Sequence, residues 1–481
     1  MPEGNTPHRE IETEVAIVGG GGVGLAAAIT ATENGARVIL LEKRKELGGN
    51  AAMAEGLFAA ESPVQARVHI DARRSHLFRI AMQHSQWKLN ARLVRAFIDK
   101  SGETIEWLES KGLSFTCHPY YPNQVPVVWH CYHGGRNKLA KVLINNCQEL
   151  GVKVLKGTTV KKILTDGAGR VIGVRVSTQG KEHDVAARAV IIGTGGYAGN
   201  KEMLRKYCPF YTEDMPCYGL PHMGDGISMA TEIGAATDGL GILQKGGPDF
   251  PGSRDLRVVA WEPNTVWVNN RGERFMDEAA DRKRFESVNA LLRQPGIVSY
   301  SLFDEGVKKA IMEVGVISGL GLMVLPLTRL PHIDQDLKIE VDRGAAKIAR
   351  SWEEIARWIG AEPAVLQATI DEYNADCDHG CDRVFDKERR YLTPLRTPPY
   401  YALKCYPGFL ETIGGIKINH RMEVLDKDDN PIPGLYAGGV DTGGWETDTY
   451  NVELAGATLG FSVNSGRIAA ENAVKYVRAN K

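Results

Sequence analysis

The chain lacks the marks of several large protein classes. Eight cysteines in 481 residues are too few for a disulfide scaffold and fit a reducing compartment. No Cys-x-x-Cys occurs, which excludes a dithiol reductase motif and haem attachment through Cys-x-x-Cys-His. Charge of one sign is also missing: 58 basic and 59 acidic residues leave a net charge of -1. With no basic run and no interleaving of arginine and aromatics, nucleic acid is not an expected partner. No apolar run reaches the roughly 18 residues that a membrane span requires. The longest charge-free stretch, Val314 to Thr328, is broken by Gly315, Ser318, Gly319, Gly321 and Pro326 and reads as buried core. The opening MPEGNTPHREIETE is polar and without an apolar centre, which predicts no secretory leader and a cytoplasmic location. Cys377, His379 and Cys381 cluster as CDHGC, but the spacing is not that of a zinc site and no second pair lies near; a turn at a helix end is the reading, and no metal site is predicted.

What is present begins with a glycine turn. Val15 to Val18 read as an apolar strand, Gly19, Gly21 and Gly24 follow at Gly-x-Gly-x-x-Gly spacing, and Leu25 to Thr32 open an alanine-rich helix. The first glycine allows the turn, the second lets the backbone approach a pyrophosphate at the helix N-terminus, and the third lets helix and strand pack closely. Glu42 ends the next strand eighteen positions after Gly24, close to the expected distance of about 20 for a carboxylate that binds an adenosine ribose. Strand, turn, helix and acid together predict dinucleotide binding and leave NAD or FAD open. At 481 residues the chain exceeds one hydrophobic core, so two or three modules are expected.

Three ordered blocks carry a resemblance. EKRKELGGNAAMAEG after the second strand, AVIIGTGG at 189 to 196 and the C-terminal IPGLYAGGVDTGG resemble the flavoprotein superfamily of fumarate reductases and succinate dehydrogenases, which also holds the 3-ketosteroid dehydrogenases. Between them, LKGTTVKKILTDGAGRVIGVRVS alternates around an Asp-Gly turn and predicts a small antiparallel meander leading into a strand at Ala189 to Gly193. The resemblance implies an α/β fold: a Rossmann-like FAD-binding domain of the glutathione-reductase type in residues 1–240, an inserted α+β capping domain in 241–411, and a return to the FAD domain in 412–481. Inside the expected cap, Ser351 and Glu354 form a capping-box pattern, and Pro363 starts a helix with Leu366, Ile370 and Tyr373 on one face. A last helix carries Ile468, Ala469, Ala473, Tyr476 and Val477 as a core stripe.

The same resemblance assigns the cofactor contacts. It implies that Glu42 binds the ribose, that Asn50, Ala51, Glu55 and Gly56 pass near the flavin and pyrophosphate, that Lys43 and Gly49 also belong to the cofactor site, and that Val160 offers backbone to adenine. Thr194, Gly195 and Gly196 would close the dinucleotide site, Asp225 and Asp441 would fix the pyrophosphate and ribityl side, and Gly456, Ala457, Thr458 and Leu459 would place backbone amides near the ring. Members with covalent flavin carry histidine where this chain has Asn50. Asparagine cannot form that bond, so FAD is expected to be non-covalent.

Such a site transfers hydride between flavin and a substrate carbon, and a second group must handle a proton on the neighbouring carbon. The fumarate reductase pattern RFxNExxTRD falls on Arg274 to Arg282, which puts Arg282 on the family's proton-donor position. With a pKa above about 12 its safer role is to stabilise negative charge on an enolate-like transition state; the alternative is a solvated charge beside Asp281. The family's substrate clamp does not carry over. HHTMGG is LETIGG here and NRLGGN is VELAGA, so Glu411 and Glu453 stand where a histidine and an arginine bind carboxylates. At about 4 Å and an effective dielectric near 20, each like-charge contact costs on the order of 4 kcal/mol, so a C4 dicarboxylate is expected to be repelled.

The tail AGATLGFSVNSGRIA is closer to the ketosteroid dehydrogenase pattern, although that pattern's tyrosine falls on Val452. Tyr450, Tyr120 and Tyr121 are alternative phenols for a proton relay, or packed aromatics; His130 and His133 are weaker candidates. The expected function is FAD-dependent introduction or reduction of a carbon-carbon double bond next to a carbonyl or carboxylate in a small molecule, with an external electron donor or acceptor. Two alternatives stand beside it. One is oxidation of an alcohol or amine held by the glutamates, the other a non-catalytic electron-transfer subunit.

Overall fold

The computed structural model describes residues 11–121, 123–283, 285–319 and 324–480, and the side chains of 281–283 lie outside the described set. The chain divides into two compact units. One takes in the residues up to Pro209, Gly219–Leu243 and Glu411 onward; the other comprises Phe210–Tyr218 and Gln244–Leu410.

The first unit is built on a sheet in the order Glu423–Leu425, Pro431–Ala437, Lys181–Ile192, Ile11–Val18, Val38–Glu42, Lys153–Lys156. Along this order the pairings are parallel except that of Glu423–Leu425 with Pro431–Ala437, and two further strands join the same sheet antiparallel at Lys181–Ile192. Val15, Ala16, Ile17, Leu40, Val190 and Ile191 are almost wholly buried, as expected for parallel strands covered on both faces. The first strand starts four residues before the apolar run, because Ile11, Glu12 and Thr13 already pair with Val185, Ala186 and Ala187. Backbone hydrogen bonding extends it where side-chain hydrophobicity gives no signal. The meander forms from Thr158–Thr165 and Val171–Thr178 and runs into Lys181–Ile192, a strand that reaches further back than the apolar stretch at 189 to 193.

Helices Gly22–Glu33 and Ala457–Ala479 pack on this sheet and on each other. Small residues let them approach: a Cβ on Gly466 would stand 2.4 Å from the Val23 carbonyl oxygen. The C-terminal stripe Ile468, Ala469, Ala473 and Val477 is buried. A separate three-stranded antiparallel sheet joins Gly56–Phe58, Trp129–Tyr132 and Phe115–His118.

The second unit centres on an antiparallel sheet in the order Leu243–Asp249, Tyr400–Thr412, Ser299–Asp304, Val266–Val268, with Ala346–Ala349 also paired to Tyr400–Thr412. Trp267, Leu302, Phe303, Leu403, Ile355 and Ile370 belong to its core. Helix Trp352–Ile359 is capped by the Ser351 hydroxyl, which accepts from Glu354 N at 3.3 Å. Helix Pro363–His379 buries Leu366, Ile370 and Tyr373 and ends at Gly380 in the left-handed conformation, so CDHGC is a helix terminus.

The stretch 314–328 departs from the sequence reading. Val316 and Val324 are buried, but Val314, Ile317, Leu325 and Leu327 are exposed, and 320–323 lie outside the described residues. Val316 N donates to Thr328 O and Leu327 N donates to Val316 O in a short irregular ladder, which leaves several apolar side chains facing outward. Among the described residues no helix is long and apolar enough to cross a membrane, and no group of His, Cys, Asp and Glu could hold a metal ion.

Candidate active site

The glycine turn is built as the spacing implies, and its glycines answer to different constraints. A Cβ on Gly24 would lie 1.8 Å from the Gly19 carbonyl oxygen, so strand–helix packing demands glycine there. Gly21 is different. Its φ of -85° suits any residue, and an added Cβ would meet nothing nearer than the Gly49 Cα at 4.0 Å. The protein leaves this space open at the start of a helix with no side-chain cap and no acidic residue in its first turn. Such a cradle suits a phosphate.

Several of the predicted cofactor residues are held by hydrogen bonds and ion pairs. Glu42 accepts from Gly20 N at 2.7 Å and Arg44 N at 2.8 Å, which ties the end of the second strand over the turn. Lys43 pairs with Asp225 at 2.6 Å in the first turn of helix Asp225–Glu232. Asp441 is buried and accepts from Gly195 N at 2.9 Å, Gly196 N at 2.8 Å, the Thr194 hydroxyl at 3.0 Å and Thr194 N. Burial pushes its carboxyl up and these donors oppose the shift. Its oxygens therefore order the loop 194–196. Val160 lies in the meander opposite Val176, just before a bulge, and Glu55 is engaged by Arg136 at 3.0 Å.

His222 escaped the sequence reading. Its ring sits 2.8 Å from where a Gly195 Cβ would be, and its buried Nδ1 has no hydrogen-bond partner among the described residues. Burial lowers its pKa to about 4, with Lys43 acting in the same direction and Glu42 in the opposite one. Its position three residues before Asp225 in PHMGDG was the available signal. An open phosphate cradle and an orphaned ring nitrogen beside Glu42 and Lys43 are what a dinucleotide would satisfy.

At the other end, helix Ala457–Ala479 begins at Gly456, whose φ is 81° and whose carbonyl accepts from Phe58 N at 3.0 Å. This clamps the helix N-terminus, carrying Ala457, Thr458 and Leu459, to the strand that begins at Gly56. Tyr450 is buried with its hydroxyl 3.4 Å from Thr458 N, and burial pushes the phenol well up. Tyr121 donates to Glu453, 2.6 Å from each carboxylate oxygen, while Tyr120 packs edge-on to Trp129. Glu453 stands on the short turn Val452–Leu454, whose start is bound by Asn451 and whose Val452 carbonyl accepts from Gln124.

Asn50 and Glu411, 361 positions apart, are joined. Leu220 N donates to Asn50 Oδ1 at 2.9 Å, which turns Asn50 Nδ2 toward Glu411 Oε2 at 3.0 Å. Glu411 is 5% exposed, and burial raises its pKa to about 7 against the smaller opposing effect of Asn50. It is thus only partly ionised at neutral pH, which weakens the expected repulsion of a dicarboxylate at this residue. His130 is a core residue: Nδ1 donates to Val128 O at 2.9 Å, Nε2 accepts from Ser62, and burial lowers its pKa to about 4.

Arg282 is on the turn Glu278–Lys283 of the second unit, and its side chain lies outside the described residues. The turn is anchored by buried charges. Glu278 pairs with Arg274 at 2.7 Å and Lys387 at 3.0 Å, and Arg274 also pairs with Asp382 at 2.7 Å. Burial drives Glu278 upward, but Lys387 and Arg274 more than reverse this and hold it below the ordinary carboxylate range.

A family model described as FAD binding domain matches residues 14–459. The chain belongs to this family of FAD-binding, fumarate-reductase-like flavoproteins. A vinyl phenol reductase of Lactiplantibacillus plantarum is 30% identical over 478 residues, spanning 96% of each chain. The solved structure of a flavocytochrome c3 fumarate reductase in its open conformation is 27% identical with a TM-score of 0.75, covering 97% of this chain and 79% of that one. A 3-ketosteroid Δ1-dehydrogenase of Sterolibacterium denitrificans shares the fold, with a TM-score of 0.81 at 20% identity over 98% of this chain and 100% of that one. The flavoprotein is accordingly a FAD-dependent oxidoreductase.

Replacing Gly21 by Ala separates the ligand's demand from the fold's. The variant is expected to keep the wild-type thermal midpoint without FAD, because backbone and space both admit a Cβ. It should bind FAD at least about tenfold more weakly, a loss of roughly 1.4 kcal/mol. Equal FAD affinity in a fluorescence titration would place the phosphates elsewhere.

Proposed function

We propose that this flavoprotein reduces a carbon-carbon double bond in a small molecule that is not a dicarboxylate. The observation that carries the reading is the pair of carboxyl contacts, Asn50 with Glu411 and Tyr121 with Glu453, at positions where resemblance puts the cationic clamp of fumarate reductases. These groups accept hydrogen bonds; they do not neutralise substrate carboxylates. FAD, when bound, would supply hydride to one carbon of the double bond, and Arg282 would offset the charge that develops as the neighbouring carbon takes its proton. In this reading the first unit is a Rossmann-like FAD domain of the glutathione-reductase type, the second an inserted cap, and the protein works in the cytoplasm with an external electron donor.

The test is anaerobic reduction of the bound flavin followed by mixing with fumarate, uncharged enones, monoanionic enoates and vinyl arenes. Fumarate should re-oxidise the flavin slowly and at least one of the others faster; rapid turnover with fumarate at neutral pH would refute the reading. Oxidation of an alcohol or amine, which carboxyl groups in the site also suit, would show instead as reduction of the oxidised flavin by those compounds. Re-oxidation by partner proteins alone would indicate an electron-transfer subunit.

Asn50 has its amide engaged at both ends and offers no nucleophile, so the FAD is proposed to be non-covalent. Acid denaturation and centrifugation should release intact FAD into the supernatant. Yellow colour retained in a washed pellet would contradict this.

A further inference from the structure

We infer that Glu411 is the base that accepts the phenolic proton of a para-hydroxystyrene substrate, so that its double bond becomes reducible by hydride. This rests on the double-bond reading above and adds the substrate class and the residue that selects it.

The geometry supplies a carboxyl group with one end held and one end free. Asn50, turned by Leu220 N, holds Glu411 Oε2 at 3.0 Å. Glu411 makes no other hydrogen bond or ion pair among the described residues. The second oxygen is not among the described buried atoms that lack a partner, so it borders accessible space, and there a phenol can supply a donor. Burial raises Glu411 to about 7, with no charged described residue contributing. That narrows its gap to a phenol of pKa about 10 to roughly 3 units, where an ordinary glutamate near 4.3 leaves almost 6.

Proton removal also solves an electronic problem. A vinyl group on a benzene ring has no carbonyl to withdraw electrons, so neither of its carbons accepts hydride readily. When the para oxygen gives its proton to Glu411, an oxygen lone pair moves through the ring to the vinyl group, and the terminal carbon takes a proton derived from solvent. The ring is then a quinone methide, with an electron-poor benzylic carbon. That carbon would accept the hydride that reduced FAD supplies when bound, the electron pair would return to oxygen, and Glu411 would give its proton back. The sum is one hydride and one solvent proton added across the double bond, with FADH- oxidised to FAD. A meta oxygen binds Glu411 equally well but cannot conjugate with the vinyl group, and a methyl ether has no proton to give.

The experiment uses the FAD-loaded protein reduced anaerobically with dithionite and mixed with 4-vinylphenol, 3-vinylphenol, 4-methoxystyrene and cyclohexenone, following flavin re-oxidation. The para phenol is expected to react at least about a hundredfold faster than its meta isomer and its ether, the scale of general base catalysis. Its rate should rise with pH through about 7, because the deprotonated form of Glu411 is the active one. Glu411→Gln, checked first for FAD content, should lower the rate by a similar factor. Equal rates for para and meta, or for phenol and ether, overturn the inference, as does a wild-type rate in the Gln variant. If that variant loses FAD, the para-to-meta ratio and the pH profile of the unaltered protein decide. Re-oxidation by cyclohexenone without 4-vinylphenol refutes the inference and leaves the double-bond reading standing; re-oxidation by no alkene refutes both.

Discussion

Arg282→Gln is expected to lower flavin re-oxidation by the best alkene roughly a hundredfold or more, the cost of removing one preorganised donor from a developing negative charge. Glutamine keeps much of the length and none of the charge, so folding and FAD content should survive. Lysine should recover little, since a point ammonium does not reproduce the guanidinium fork. The position rests on RFMDEAADR and on a turn whose backbone is fixed by Glu278, which accepts from Trp267 N at 3.0 Å as well as binding Arg274 and Lys387. Flavin occupancy is measured first and the single-turnover rate second. Full occupancy with a near wild-type rate would make Arg282 a surface charge and leave Tyr450, Tyr120 and Tyr121 as the next candidates for the proton.

Glu278→Ala is expected to destabilise the folded protein by about 3–5 kcal/mol, because it leaves buried positive charge without its partner. Arg274, Lys387, Glu278 and Asp382 form a network of two cations and two anions. Glu278 and Lys387 are fully buried, with side-chain exposures of 0% each. Removing Glu278 alone unbalances the set. Removing Lys387 with it, as the double variant Glu278→Met and Lys387→Met, restores neutrality and leaves the Arg274–Asp382 pair intact. The double variant should therefore be more stable than Glu278→Ala, which denaturant unfolding of the three proteins measures directly. A single variant as stable as wild type would mean that water reaches these charges on little rearrangement.

The cofactor end was legible in the sequence because its parts are local. Gly19, Gly21, Gly24 and Glu42 fall within one strand–helix–strand segment, where turn geometry and the length of a helix set the spacing. The alternation of the meander, Ser351 as a cap and Pro363 as a helix start depend on neighbours a few residues away, and all three are found in place. The apolar run 314–328 misled for the converse reason. Hydrophobicity without a period does not say which side chains an irregular ladder turns outward, and Leu327 is 72% exposed.

Glu411 and Glu453 could be singled out from the sequence only as departures from a pattern. Their partners lie 361 and 332 residues away, at Asn50 and Tyr121, and no spacing rule spans such distances. The ionisation of Glu411 is a property of the folded interior, since an aqueous carboxylate near 4.3 reaches about 7 only when its charged form loses water. His222 likewise became visible only when folding placed its ring against Gly195 beside Glu42 and Lys43. The sequence by itself determined that the chain has a FAD-binding fold and where its glycine turn lies, because that turn is built from consecutive backbone. Which carboxyl carries a proton, and what it faces, was decided by tertiary structure, because burial and pairing are made by segments hundreds of residues apart.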